Sequence, residues 1–103
     1  MKEKEIEKEY KKSRIIYNTK LRKFNTSPYI LTEIESKVLF AISNKETTKY
    51  ADIIRYIGKY KNTTGLFYKI QNAIKQIQRK EPLIKIKSIG QESVQLITDI
   101  SFI

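Results

Sequence analysis

Apolar and polar positions alternate with a period of two near both ends of the chain and with a helical period between them. Residues 14–24 are rich in β-forming side chains, and they predict one strand or a short hairpin with a turn at Asn18-Thr19. Towards the end, apolar and basic residues alternate from Leu83 to Lys87. A turn over 90–93 and a return strand over 94–97 complete a predicted β-hairpin.

Three helices are predicted between these β segments, because apolar residues recur there at spacings of three and four. Each helix has a threonine at its predicted start: Thr32 for the first, Thr47 or Thr48 for the second, and Thr63 or Thr64 for the third. Glu35 completes a capping box at the first start. The predicted ends are Ser43-Asn44, Gly58 and Lys80. The order of elements indicates an α+β fold.

The third helix has two contrasting faces. One face is apolar and is predicted to be core: Leu66, Ile70, Ala73 and Ile77, flanked by Phe67 and Ile74. The opposite face is polar: Thr64, Tyr68, Gln71, Asn72, Lys75 and Arg79. Asn and Gln side chains can pair with adenine and Arg or Lys with guanine, so this face suits the DNA major groove. An ordinary solvated face is the alternative.

Charge strengthens this interpretation. The 103 residues include 21 Lys and Arg but 11 Asp and Glu, which gives a formal net charge of +10. From Lys59 to Lys87 there are eight basic residues and one acid, Glu81. A balance of this kind predicts a polyanionic partner, with nucleic acid ahead of an acidic membrane surface.

The absence of Cys and His narrows the chemistry further. It excludes disulfides, Cys/His zinc sites and the His-dependent nucleophile systems. We predict no catalytic activity, no cofactor, no metal and no small-molecule ligand. Because no apolar run is long enough to cross a bilayer and no secretory signal is present, a cytoplasmic location without membrane contact is predicted.

Three basic groups form the predicted DNA-binding set: the third helix, the hairpin and the N-terminal strands. Its members are Asn62, Thr63, Thr64, Tyr68, Lys69, Gln71, Asn72, Lys75, Arg79, Lys85, Lys87, Ser88, Gln91, Lys20, Arg22 and Lys23. At the start of the third helix, free backbone N–H groups can also bind a phosphate.

Domain organisation is predicted to be simple, with a charged N-terminal arm over 1–13 and one domain over 14–103. The last four residues, Ile-Ser-Phe-Ile, are too apolar for a free tail, so we expect them to dock on the body or on a second subunit. A homodimer is predicted, because a protein that recognises a short DNA site binds more tightly when two copies are joined. The predicted interface residues are Ile15, Ile16, Tyr17, Ile100, Phe102 and Ile103.

The run from Leu31-Thr32-Glu33-Ile34-Glu35 through the third helix to Ile86-Lys87-Ser88-Ile89-Gly90 resembles a winged helix-turn-helix. It is most similar to the OmpR/PhoB-type effector domain, which has a short N-terminal sheet, a Leu-Thr-x-x-Glu helix start, a recognition helix and a wing. The resemblance covers about residues 14–97. It implies that the third helix enters the major groove while the wing contacts the backbone or the minor groove.

The chain departs from that family in three respects. It has no receiver domain, the link before the third helix is short, and Gln91 replaces the usual aromatic after the wing glycine. A free-standing basic winged helix is also similar to the small accessory proteins that mark the transfer origin of conjugative plasmids. The resemblance therefore implies sequence-specific binding of double-stranded DNA, in plasmid transfer or in transcription regulation.

Two other classes of function remain open at this point. A small basic RNA-directed ribonuclease toxin could use Tyr68, Lys75 and Arg79, and exposed tyrosines could stack on RNA bases. An interaction protein with an acidic partner would also carry a basic face.

Overall fold

The computed structural model of the chain describes residues 15–58 and 63–103. Within them are three helices and six strands, which form two three-stranded sheets and confirm the predicted α+β class. In chain order the elements are β1 (Ile15–Asn18), β2 (Lys23–Phe24), α1 (Glu33–Ala41), β3 (Thr48–Lys49), α2 (Tyr50–Ile57), α3 (Thr63–Lys80), β4 (Ile86–Ile89), β5 (Ser93–Leu96) and β6 (Ile100–Phe102). The predicted arm over 1–13 lies outside the described residues.

The first sheet has the strand order β2-β1-β6 and joins the two ends of the described chain. β1 and β2 form the predicted hairpin, with its turn over residues 19–22 instead of Asn18-Thr19. β6 lies parallel to β1, with Ile15 opposite Ile100 and Tyr17 opposite Phe102. The apolar tail therefore docks on the body of its own chain.

This pairing places two residues of the predicted dimer interface in the core. Ile15 is 5% exposed and Tyr17 is fully buried, so neither side chain is available to a second copy. Burial raises the pKa of Tyr17, whose hydroxyl donates a hydrogen bond to Ser36 Oγ at 2.7 Å. The alternation in β1 points every second residue inward, and Ile15 and Tyr17 occupy those inward positions.

α1 begins as predicted and ends earlier than predicted. The capping box is present, with Glu35 N donating to Thr32 Oγ1 at 3.3 Å and Thr32 N donating to Glu35 Oε1 at 3.1 Å. The helix ends at Ala41, before Ser43, because the Ser43 hydroxyl donates to the Phe40 carbonyl at 2.7 Å. Such a local side-chain bond competes with the regular helical pattern.

The second sheet has the strand order β3-β5-β4, and its first strand was not predicted. Thr48 lies in β3 opposite Val94, so the prediction that Thr47 or Thr48 caps α2 is wrong. The N-cap of α2 is Lys49, which makes no side-chain cap bond. The predicted end at Gly58 is confirmed: its φ is +69°, and a Cβ there would lie 2.7 Å from the Arg55 carbonyl oxygen.

The hairpin of β4 and β5 is confirmed with a shifted first strand. β4 begins at Ile86, three residues later than predicted, and β5 begins at Ser93. Residues before β4 are held in a turn, because Leu83 N donates to Glu81 Oε1 at 3.1 Å. Ile86 N donates to Gln78 Oε1 at 3.0 Å, which fixes the first residue of β4 against α3.

One face of α3 forms part of the hydrophobic core. Its predicted apolar face is confirmed, since Leu66, Ile70, Ala73 and Ile77 are at most 2% exposed. The helix already includes Thr63, so neither Thr63 nor Thr64 is its cap. With one face buried against α1 and α2, the opposite face of this 18-residue helix is left for solvent or a partner.

Candidate nucleic-acid interface

The outward face of α3 presents four predicted site residues to solvent. Tyr68 is 65% exposed, and Asn72, Lys75 and Arg79 are also exposed. At 100° per residue these four positions lie within about 60° of one another around the helix. They therefore form one continuous strip along the helix, called the outward strip below. Lys69 is exposed on its flank.

Gln71 has a structural role that the sequence did not show. Burial raises the pKa of Tyr50, and a side-chain hydrogen bond with Gln71 partly opposes that rise. The Gln71 amide is therefore engaged with α2 and is half-buried. Gln71 is therefore less accessible to a base than the exposed residues of the strip.

The hairpin of β4, β5 and their turn, called the wing hairpin or wing after the resemblance above, lies beside the outward strip. A cleft of about 250 Å³ separates α3 from β4, and Lys75, Gln78 and Ser88 are among the residues that line it. Exposed wing residues continue the polar surface: Lys85, Lys87, Ser88 and Gln91. The structure thus places Gln71 and Lys75 of the predicted helix residues beside Ser88 of the predicted wing residues at this cleft. Lys87 alternates with Ile86 and Ser88 along β4, so it lies on the other face of that strand.

The third predicted basic group is the turn between β1 and β2. Lys20 and Arg22 are exposed, and Lys23 is half-buried. The turn is ordered by Asn18, whose Oδ1 accepts hydrogen bonds from the backbone of Lys20 at 3.1 Å and Leu21 at 3.0 Å. Arg22 and Lys23 contact the segment between β2 and α1, because the Arg22 carbonyl accepts from Leu31 N at 2.7 Å and Lys23 forms a β-bridge with Ile30.

Ion pairing divides the cations into two groups. The acids Glu33, Glu35, Asp52 and Asp99 pair with Lys37, Lys80, Arg55 and Lys45 respectively. The Glu35–Lys80 pair, at 2.6 Å, is the least exposed of these. None of the predicted site cations has a carboxylate oxygen of the described residues within 4.0 Å: Lys20, Arg22, Lys23, Lys69, Lys75, Arg79, Lys85 and Lys87.

This division has an electrostatic consequence. A cation that lies beside a carboxylate has a local field that is largely cancelled, whereas an unpaired cation attracts an anion from solution. α3 and the wing therefore present positive charge that the described chain does not neutralise. The acid at the wing turn, Glu92, is exposed and forms no ion pair with these lysines.

Sequence reasoning missed two residues at this surface. Tyr29, in the segment between β2 and α1, and Gln76 line a cleft of about 300 Å³ with Arg79 and Lys80. Tyr29 is 59% exposed. Only the contact between the Tyr29 segment and the end of α3 reveals the site, because these residues are far apart in the chain.

Several predictions fall outside what the structure describes. Asn62 lies in the gap between 58 and 63, and the side chains of Thr63 and Thr64 are also outside the described part. The predicted phosphate site at the start of α3 thus stays a prediction. So does the homodimer; of its remaining interface residues, Ile103 is exposed, while Ile16, Ile100 and Phe102 are half-buried.

No group of three or more Asp or Glu side chains within 15–58 and 63–103 is placed to hold a metal ion. No helix in that part of the chain combines the length and the apolar character that a membrane span requires.

Comparison of the chain with protein-family models, with curated proteins and with solved structures found no match.

Proposed function

We propose that the protein is a winged-helix protein that binds double-stranded DNA sequence-specifically and has no catalytic activity. The observation that carries the proposal is the division of charge. Glu33, Glu35, Asp52 and Asp99 pair with cations outside the outward strip and the wing, whereas the predicted site cations have no carboxylate of the described residues within 4.0 Å. A groove of phosphates supplies the negative charge that this surface lacks.

The arrangement of elements supports the winged-helix part of the proposal. Three helices precede an antiparallel hairpin, and the third helix is presented outward beside that hairpin. The strand between α1 and α2 pairs with β5, so the wing is anchored to the helical body on one side. Gln78 anchors it on the other side through Ile86.

Groups on the outward strip suit base recognition. Asn72 can form two hydrogen bonds to adenine, and Lys75 can donate to guanine. Tyr68 offers an exposed ring for contact with a thymine methyl group. By contrast, Lys85 and Lys87 on the wing suit the phosphate backbone, which carries no sequence information directly. We place the biological role with DNA-site binders of conjugative plasmids or with transcription regulators, following the resemblance above.

The ribonuclease alternative has a geometric difficulty. Tyr68 and Arg79 are 11 positions apart on one straight helix, which separates their Cα atoms by about 16 Å along the axis. Two groups that act on one phosphodiester must both lie within hydrogen-bond reach of it. The helix therefore favours an extended contact along a duplex over a single catalytic centre.

A salt series with three probes tests the proposal. We expect binding to a mixed-sequence duplex of about 30 base pairs to weaken about a thousandfold between about 50 mM and about 200 mM salt, because six to ten phosphates are neutralised. Fluorescence anisotropy on this duplex, its single strand and a double-stranded RNA of the same sequence measures the preference. Total RNA should stay intact after incubation with the protein. Cleaved RNA, tighter binding to the single strand or to the double-stranded RNA, or no duplex binding at the lower salt would each contradict the proposal.

A further inference from the structure

The segment between β2 and α1 forms a second functional feature with the C-terminal end of α3. Tyr29 lies across a cleft of about 300 Å³ from Arg79, with Gln76 and Lys80 as the other lining residues. We propose that this Tyr29–Arg79 cleft binds one phosphate of the DNA backbone, beyond the groove that the start of α3 reads. The inference rests on the proposed function and assigns Arg79 a different task from base reading.

Hydrogen bonds fix the backbone on both sides of the cleft. The Ser27 hydroxyl donates to the Lys80 carbonyl at 2.6 Å and accepts from Tyr29 N at 3.2 Å. Lys80 Nζ donates to the Ile30 carbonyl at 3.1 Å and pairs with Glu35. These bonds hold the Tyr29 segment against the last turn of the helix, so the cleft is formed before a ligand binds.

The groups that face the cleft are donors without partners in the described chain. Arg79 has no carboxylate within 4.0 Å among residues 15–58 and 63–103. Over the same residues, neither the Tyr29 hydroxyl nor the Gln76 amide makes a hydrogen bond. Lys80 is different, because Glu35 already neutralises its charge. One guanidinium, one phenol and one amide form a donor set that matches a phosphate oxygen cluster.

Helix length explains why the ligand is a backbone phosphate and not a base edge. A recognition helix contacts base edges with its N-terminal residues. Arg79 lies about 16 Å beyond Tyr68 along the axis, whereas the major groove is about 8.5 Å deep and about 12 Å wide. The last turn of α3 therefore lies over the sugar-phosphate rim, and Tyr29 extends the contact from the side.

The test compares two duplex pools: an unselected random pool and a pool enriched by repeated binding to the wild-type protein. We expect Arg79→Ala to weaken binding to both pools equally, about fivefold at about 0.15 M salt, and to lower the salt slope by about 0.9. Tyr29→Phe should weaken both pools equally without a change in slope, because it removes a donor and no charge. Arg79→Lys should restore the slope, since a cation is retained.

Two controls keep the outcomes distinct. Asn72→Ala is the matched strip variant, and it should weaken the enriched pool more than the random pool with no change in slope. Arg79 and Tyr29 are exposed, so thermal melting should show that their variants stay folded. Selective loss of the enriched pool in Arg79→Ala would assign Arg79 to base reading, and an unchanged slope would place the cleft off the DNA. Either result overturns the inference while the proposed function stands, whereas failure of the wild-type protein to bind either pool would overturn both.

Discussion

Replacing Lys75, Lys85 and Lys87 together by alanine is expected to weaken binding to duplex DNA about a hundredfold at about 0.15 M salt. All three lysines are exposed, and none pairs with a carboxylate of the described residues. Lys85 and Lys87 are assigned to phosphates and Lys75 to guanine, and each phosphate contact contributes about 0.9 to the salt slope, so the triple variant should also lose about 1.8 from that slope. An anisotropy titration of a mixed-sequence duplex at several salt concentrations measures both quantities.

The chain offers a matched control with the same loss of formal charge. Lys37, Lys45 and Arg55 are cations that pair with Glu33, Asp99 and Asp52, respectively. Replacing all three by alanine should change duplex affinity less than about threefold, because their local fields are already compensated. Exposed ion pairs of this kind contribute little to stability, so the control should stay folded. Equal losses in the two triple variants would show that net charge, and not the unpaired surface, governs binding.

The largest effect on stability is expected from Lys80→Met, which should lower the free energy of unfolding by about 3 kcal/mol. Lys80 Nζ lies 2.6 Å from Glu35 Oε1, and Glu35 is only 5% exposed. Without the ammonium group, a buried carboxylate loses its cation and keeps the Thr32 N–H as its remaining donor. The Lys80 hydrogen bond to the Ile30 carbonyl is lost as well. Urea denaturation followed by circular dichroism measures the change.

A second substitution separates the charge from the packing. Glu35→Gln removes the carboxylate charge but keeps an oxygen that can accept from Thr32 N, so the capping box is preserved. In the Lys80→Met background it should recover about half or more of the lost stability, because no uncompensated charge stays buried. A Lys80→Met protein within about 1 kcal/mol of wild type, or no recovery in the double variant, would contradict this assignment of the pair.

Features that depend on near neighbours in the chain could be predicted from the sequence. The capping box of Thr32 and Glu35 spans three positions, and both of its hydrogen bonds are present. The apolar face of α3 follows from its 3.6-residue period, and Gly58 ends α2 because its left-handed conformation suits glycine. The ion pairs Glu33–Lys37 and Asp52–Arg55 also follow from helical spacing.

Features that depend on distant segments could not be predicted. β3 is two residues long and exists because Thr48 meets Val94 across the sheet. Tyr29 joins the candidate site only because Ser27 binds the end of α3, 53 positions later in the chain. The helical period places Gln71 on the polar face of α3, and only the fold shows that it lies beside Tyr50. The helical period predicts which side chains point away from the core. It does not predict which of those side chains contact a neighbouring element.

The distribution of charge was also predictable only in part. The scarcity of acids between 59 and 87 was visible in the sequence, and it indicated a basic surface. The sequence did not show that Lys45 and Lys80 pair with Asp99 and Glu35, because those partners are 54 and 45 positions away. With Lys45 and Lys80 paired, the unpaired cations of the described residues lie on α3, on and beside the wing, on the N-terminal turn and at Lys49.

The central claim is sequence-specific recognition of duplex DNA, and one selection experiment tests it most directly. The wild-type protein is incubated with a random duplex library at about 150 mM salt, where non-specific binding is weak, and the bound duplexes are amplified and sequenced over several rounds. We predict enrichment of a motif shorter than about ten base pairs, a length that one recognition helix and one wing can cover. Salt-sensitive binding with no enriched motif would contradict the account, because the surface would then bind polyanions without reading their sequence.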